Sequence, residues 1–540
     1  MSARGITRRS LLLAGAGTLA GGLVPPAAVL GALAQDALAQ DPAPRLSERW
    51  IGDLAAGAPK TLVLDQPADL VGLSWSAPAN AAVMMRVGVG VGAYSPWVSA
   101  AAHGHAPEAP VQAARQVGDP VWTGGTLRLQ LRSPVSLTGV RVHLVDVSAG
   151  QGARRRALAR RWLASAAALP LAGPPLAAAV AQPPIIARRA WAGRVSPPAV
   201  APEYGGVRMA FVHHTENPNG YLAGEVPAML RAIYAFHRYV HGWNDIGYNF
   251  VIDLYGRVFE ARAGGVSEPV VGAQAGGYNK VSTGVAVLGS FMSTPISAAA
   301  RSALQALLAW KLSLHGVPSQ GRVLVRVNPA GASYSRFPAN ARVSLPRIAG
   351  HRDGDSTDCP GDVLYGQLPA IRHAVAALAP RPARLTIAAS ATIGGQLAFL
   401  DGTPIVGAQV LVQARSVSAR GEAVLEQTLA EAITDAAGAW SLPAPPSAPA
   451  GGLWLRALAP AATAGATISE PVHLAATAAP PGPPTPGPPT PGTPPTVPST
   501  TPGGAPSSTP AAQGPEAAGG ASAASRRARL STPPARAPSS

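Results

Sequence analysis

The stretch "GHRDGDSTDCPGD", residues 350–362, contains Cys359, the single cysteine of a 540-residue chain. Cys359 follows His351 by eight positions and directly precedes Pro360-Gly361. One cysteine cannot form a disulfide within its own chain, so the stapled framework of small secreted domains is excluded. Three roles stay open for the thiol: a small buried hydrophobe, a nucleophile, or a metal ligand. The polar company of Asp353, Asp355, Thr357 and Asp358 suits a site better than a core. As a ligand, a thiolate pairs naturally with imidazole, since zinc takes both and a catalytic zinc keeps three protein ligands and one open position.

The histidines offer several pairings. His213-His214 ends the apolar run "MAFVHHT"; on a strand, neighbouring side chains point to opposite faces, so one ion cannot easily take both. His237 and His241 have the i, i+4 spacing of the helical zinc-protease motif. Arg238 stands where that motif needs its glutamate base, and both histidines are read as helix residues bounding a groove. His103 and His105, in "AAHGHAPEAP", have nothing nearby to complete a ligand set and are read as surface-loop residues.

The elements that must position these groups follow from periodicity. From "PPIIARRAW" onward the texture is mixed α/β. "MAFVHHT" and "TGVAVLGSF" are apolar strands, and "YNFVIDLYGRVFEAR" reads as a hairpin turning at Tyr255-Gly256. "AGEVPAMLRAIYAFHRYVHG" has helical spacing and stops at Gly242; "SAAARSALQALLAWKLSLHG" is a helix capped by Ser297 and ended by Gly316. This order predicts, over residues 184–380, a mixed sheet covered by helices.

Length alone predicts three or four domains at roughly 100–200 residues each. Residues 46–148 alternate as "TLVLD", "LVGLSWS", "VMMRVGVGV", "TLRLQLRS" and "GVRVHLVDV", which predicts an antiparallel β-sandwich. Residues 149–183 read as a basic and Ala/Pro-rich linker, and 383–476 as a second β-sandwich. The tail, 477–540, is Pro/Thr/Ser-rich and too poor in apolar residues to fold. The fold class is therefore multidomain: a central α/β domain flanked by two β-sandwiches and a disordered tail. At the other end, Arg8-Arg9, an apolar stretch and small-residue sites at Ala34 or Ala39 make residues 1–39 similar to a twin-arginine export signal. Gly and Pro interrupt the stretch, so it is not read as a transmembrane anchor. The formal charge of +16 points to polyanionic partners. No nucleic-acid module accompanies it, which leaves anionic polymers or lipids of a cell envelope.

Four phrases in order, "FVHHTENPNGY", "HGWNDIGYNFVIDLYGRVFEAR", "VVGAQAGGYNKVSTGVAVLGSF" and "GHRDGDSTDCPGD", resemble the peptidoglycan recognition protein/type 2 amidase family over about residues 185–378. The resemblance implies a zinc N-acetylmuramoyl-L-alanine amidase with peptidoglycan as substrate. It makes His213, His351 and Cys359 the Zn2+ ligands and turns His214 away to pack or to orient a neighbour. Tyr248 matches the family's catalytic tyrosine, whose hydroxyl can hydrogen-bond the attacking water or the tetrahedral intermediate. Thr357 sits two before the cysteine, where members carry lysine or threonine, and as threonine it helps only by hydrogen bonding. The family's usual "GAHA" reads "GAQA", so Gln274 replaces a groove histidine and alters a substrate contact. Separately, "DGTPIVGAQVLV" and "TDAAGAWSL" resemble the carboxypeptidase-regulatory or transthyretin-like sandwich. The leading expectation is an exported wall amidase. The alternatives are a non-catalytic peptidoglycan-binding protein, whose relatives typically lack the cysteine, and a structural wall protein with a vestigial enzyme domain.

Overall fold

The computed structural model describes residues 43–78, 81–88, 92–100, 115–147, 181–193, 196–379, 381–390, 392–417, 424–443, 453–460 and 466–474. The export-type segment, the His103/His105 loop, the linker up to residue 180 and the tail lie outside them.

The N-terminal strands are β1 (Arg45–Leu54), β2 (Lys60–Trp75), β3 (Met84–Val87), β4 (Val98–Ser99), β5 (Gln116–Val117), β6 (Val121–Arg132) and β7 (Leu137–Asp146). Their order is β1-β7-β2-β6-β3-β4, with β5 on β2, and every pairing is antiparallel. All seven strands join one hydrogen-bonded antiparallel sheet, most of whose buried residues form a single core. The physical reason is β2, where "TLVLD" and "LVGLSWS" are not two strands but one. β2 crosses Pro67 with register shifts against β6 between Val63 and Leu70, and then pairs β7 from Leu70 to Ser74.

The central sheet contains β8 (Ile185–Ile186), β9 (Met209–His214), β10 (Phe250–Ile252), β11 (Val258–Glu260), β12 (Ser282–Val287) and, after the hairpin β13 (Arg322–Arg326) and β14 (Arg342–Pro346), β15 (Ile348–Gly350). The order is β15-β9-β12-β10-β11-β8. The β10/β11 pair is antiparallel and the other pairs are parallel, so the sheet is mixed. Three helices cover it: α1 (Val226–Tyr239), α2 (Ala298–Leu314) and α3 (Asp362–Leu378). Ser297 caps α2 by accepting the Ala300 N–H at 3.0 Å. Alternation along β9 divides the cores: Ala210 and Val212 pack with α2 and α3, whereas Met209 and Phe211 pack with the β13–β14 hairpin.

The chain from Ala383 forms a four-stranded and a five-stranded sheet, whose buried residues, including Leu397, Val410, Trp440 and Leu455, meet in one core. α3 and the hairpin were not foreseen. The hairpin's "RVLVR" and "RVSLP" carry the period-2 alternation that marks a half-buried strand.

Candidate metal centre

His213 lies near the carboxyl end of β9, where Ala286 of β12 is its register partner. His351 opens the 3-10 turn directly after β15, which pairs β9 in parallel. Two adjacent parallel strands therefore deliver the two imidazoles to the same end of the sheet. The loop back to α3 carries Cys359 and closes at Gly361, whose φ is +89°. A Cβ at Gly361 would stand 2.4 Å from the Phe291 backbone, so no other residue fits without moving that loop. One ligand atom each from His213, His351 and Cys359 lies within 4.8 Å of the others, and all three side chains are buried. The Cys359 Sγ is 3.6 Å from His213 Nδ1, and the two imidazole rings are 4.5 Å apart.

The surrounding hydrogen bonds fix which nitrogen of each ring faces inward. The Gln274 amide donates to Ser282 Oγ at 2.9 Å, and that hydroxyl donates to the Tyr278 carbonyl at 2.9 Å. Gln274 Oε1 therefore faces His213 and accepts from Nε2 at 2.5 Å, which turns the Nδ1 lone pair toward Cys359. His351 Nε2 donates to Asp355 Oδ2 at 2.9 Å, so Nδ1 is the nitrogen by which His351 would meet an ion. Imidazoles held through one nitrogen by an oxygen acceptor are the arrangement that metal-ligating histidines use. Two imidazoles and a cysteine sulfur whose donor atoms lie within 4.8 Å of one another are a donor set that suits Zn2+.

Electrostatics at the site push the other way, as expected for potential ligands kept from water. Burial raises the Cys359 thiol well above its ordinary value; the His214 N–H, 3.4 Å from Sγ, opposes this, while Asp119 and Glu216 add to the rise. Burial, and then Asp119, Cys359 and Glu216, likewise hold the Tyr248 phenol well above 10. Tyr248 thus stays protonated, with its ring 5.5 Å from that of His213.

Other expectations resolve differently. His214 does turn away: its Nε2 meets Glu216 at 2.8 Å and Nδ1 accepts the Phe291 N–H at 3.3 Å. Gln274 is fully buried beneath His213, so it orients that ring rather than lining a groove. Thr357 Oγ1 accepts the Cys359 N–H at 3.1 Å, which ties it to the loop that carries Cys359. His237 and His241 do not share a helix, because α1 ends at Tyr239. Their rings pack on Trp243 at 4.6 and 4.4 Å, and His237 Nδ1 accepts the Gly247 N–H.

Sequence reasoning assigned no role to Asp119, Glu216 or Asp355. Asp355 was the findable one, four residues after His351 in a tight loop. Asp119 was not, because it comes from the N-terminal sheet's turn between β5 and β6. That sheet reaches the site directly: the Trp122 N–H donates to Asn217 Oδ1 at 2.7 Å, in a buried bond across 95 positions of sequence.

Residues 203–362 match the model of a family described as N-acetylmuramoyl-L-alanine amidase, and this central segment is a domain of that family. The chain is 32% identical over 177 residues to a human N-acetylmuramoyl-L-alanine amidase, covering 32% of this chain and 26% of that protein. It thus spans about a quarter of the human protein's length. It is 28% identical over 184 residues to peptidoglycan-recognition protein SC2 of Drosophila simulans, covering 34% of this chain and 84% of that one. Among solved structures it is similar to wild-type Drosophila PGRP-LB, at 24% identity and a TM-score of 0.27, covering 35% of this chain and 93% of that one.

Proposed function

We propose that the central domain is a zinc-dependent N-acetylmuramoyl-L-alanine amidase, which hydrolyses the amide between N-acetylmuramic acid and the L-alanine of the peptidoglycan stem peptide. The observation that carries this reading is the convergence of His213, His351 and Cys359, with each imidazole already held through its outer nitrogen. Zn2+ bound by these residues would supply Lewis-acid activation of water and of the scissile carbonyl. The chain's own residues do the rest. Gln274 and Asp355 lock the rings, and the His214 N–H favours the thiolate form of Cys359. Tyr248 donates its phenolic proton in a hydrogen bond to the oxygen on which charge develops. Thr357 positions the Cys359 backbone. The N-terminal segment exports the protein, and the net charge of +16 favours its retention on anionic polymers of the wall.

The experiment is release of stem peptide from purified peptidoglycan by the protein and its Tyr248→Phe variant. Loss of one oxyanion donor predicts a kcat about 10²–10³-fold lower, with KM and bound zinc little changed. A second reading follows from the recognition-protein relatives: a domain that binds the wall without cutting it. Wall binding with no release by the zinc-loaded wild type establishes that reading instead.

A further inference from the structure

On the outward face of the β13–β14 hairpin, Arg322, Leu324 and Arg326 alternate with buried valines, and Arg342 and Ser344 do the same on the partner strand. Arg326 directly opposes Arg342. Arg208, just before β9, donates to the Leu324 carbonyl at 3.1 Å, and Arg347 donates to the Arg208 carbonyl at 3.3 Å. Arg384, from the strand Ala383–Leu385 of the C-terminal sheets, joins them. A cavity of about 470 Å³ takes Arg208, Arg347 and Arg384 into its lining, and a second of about 470 Å³ takes Arg208, Arg326 and Arg342. Among the described residues Glu470 is the one acid lining either cavity, and no carboxylate lies within 4.0 Å of any of these six arginines.

Such an arrangement is costly on its own. Like charges directly opposite on a strand pair destabilise it. The Arg347 guanidinium is held below its usual range first by burial and then by Arg208 and Arg384, so the cations sit close enough to repel one another. An anion relieves that repulsion, and the planar guanidinium fork matches phosphate oxygens in pairs. Arg322 and Arg326 lie about 13 Å apart along β13 at the usual rise per residue, so one small anion cannot serve both. Among the described residues no Phe, Tyr or Trp lines either cavity, so the large aromatic platforms on which single strands stack are missing there. The groove is also separate from the metal centre: Arg208 precedes β9 and His213 lies five residues on, about 16 Å away along an extended strand.

We propose that the groove between the β13–β14 hairpin and the C-terminal sheets binds a flexible anionic polymer whose repeat carries a phosphodiester. The site needs neither zinc nor amide hydrolysis, so it stands or falls apart from the amidase reading.

The test measures binding of the full-length protein to poly(glycerol phosphate) across a salt series. The variant is the triple Arg326→Gln/Arg342→Gln/Arg384→Gln, chosen because none of the three side chains makes a hydrogen bond or ion pair in the fold. The variant should bind about tenfold or more weakly at 0.1 M salt, with the slope of log K against log[salt] shallower by about 2–3. Its release of peptide from a soluble muropeptide should equal wild type, and Cys359→Ala should bind the polymer normally. Unchanged polymer binding by the triple variant overturns the proposal. So does duplex DNA that binds as tightly and loses as much in the variant, which would make the patch a general polyanion surface. Displacement by inorganic phosphate at equal total phosphate overturns it too, in favour of a small-anion pocket.

Discussion

The two β regions flanking the central domain are attached to it by different physics. The N-terminal sheet shares a core with α1: Leu70, Trp122, Val145 and Val147 pack with Met229, Ile233 and Phe236. Gly72 makes this interlock possible, since a Cβ there would lie 2.0 Å from the Phe236 ring. The C-terminal sheets contribute Ile468 to the opposite core, but their buried link to the centre is charged. Glu268 meets Arg415 at 2.8 Å and Arg456 at 2.5 Å, with all three side chains buried. Apolar interlocking makes the first sheet part of the same folded unit as the candidate metal centre, and it brings Asp119 and Trp122 beside the site. A buried ion triad makes the second a docked element, because paired charges specify geometry while returning little net stability for their desolvation.

That contrast can be broken at either joint. The largest effect is expected from Phe236→Ala, which should cost about 3–5 kcal/mol in a cooperative unfolding of the N-terminal sheet together with the central domain. Two separate thermal transitions in the wild type would contradict shared-core packing. Glu268→Gln should cost about 3 kcal/mol by leaving two buried guanidinium groups without their anion. Hydrogen exchange should localise that loss to the strands Gln409–Val417 and Leu453–Ala459, and faster exchange in β9 instead would argue against a docked element. The smallest effect sharpens the ionic side. Lys311 donates to the Glu268 carbonyl at 2.8 Å, and burial lowers its pKa to about 7. Between that value and the unfolded value near 10.4, the unfolded chain holds a proton that the folded one lacks, so stability should rise with pH. Wild-type Tm should therefore rise from pH 7 to pH 9, worth roughly 2 kcal/mol, and Lys311→Met should flatten the rise.

The same contrast marks what was legible in the sequence. The convergence of His213, His351 and Cys359 was legible through the family resemblance, which rests on short phrases rich in unusual polar residues. The central strands and the first two helices were readable because their apolar periods are clean. The tertiary partners of the site were not. Nothing local says that the "GDP" turn at Asp119 meets "HHTEN", since Trp122 and Asn217 are joined across 95 residues. Gln274 looked like a lost groove contact because its role depends on Ser282 and Tyr278, which fix its amide. The N-terminal runs looked like separate strands because Pro67 reads as a break, whereas a bulge carries β2 through it.

On the proposed reading, Cys359 is retained as a metal ligand. The most direct measurement is zinc per chain, by elemental analysis, in the purified protein and in Cys359→Ala, with peptide release assayed on the same samples. One zinc per chain with release, both lost in the variant, is the predicted result. A wild type that releases peptide without bound metal, or a variant that keeps both metal and release, would contradict it.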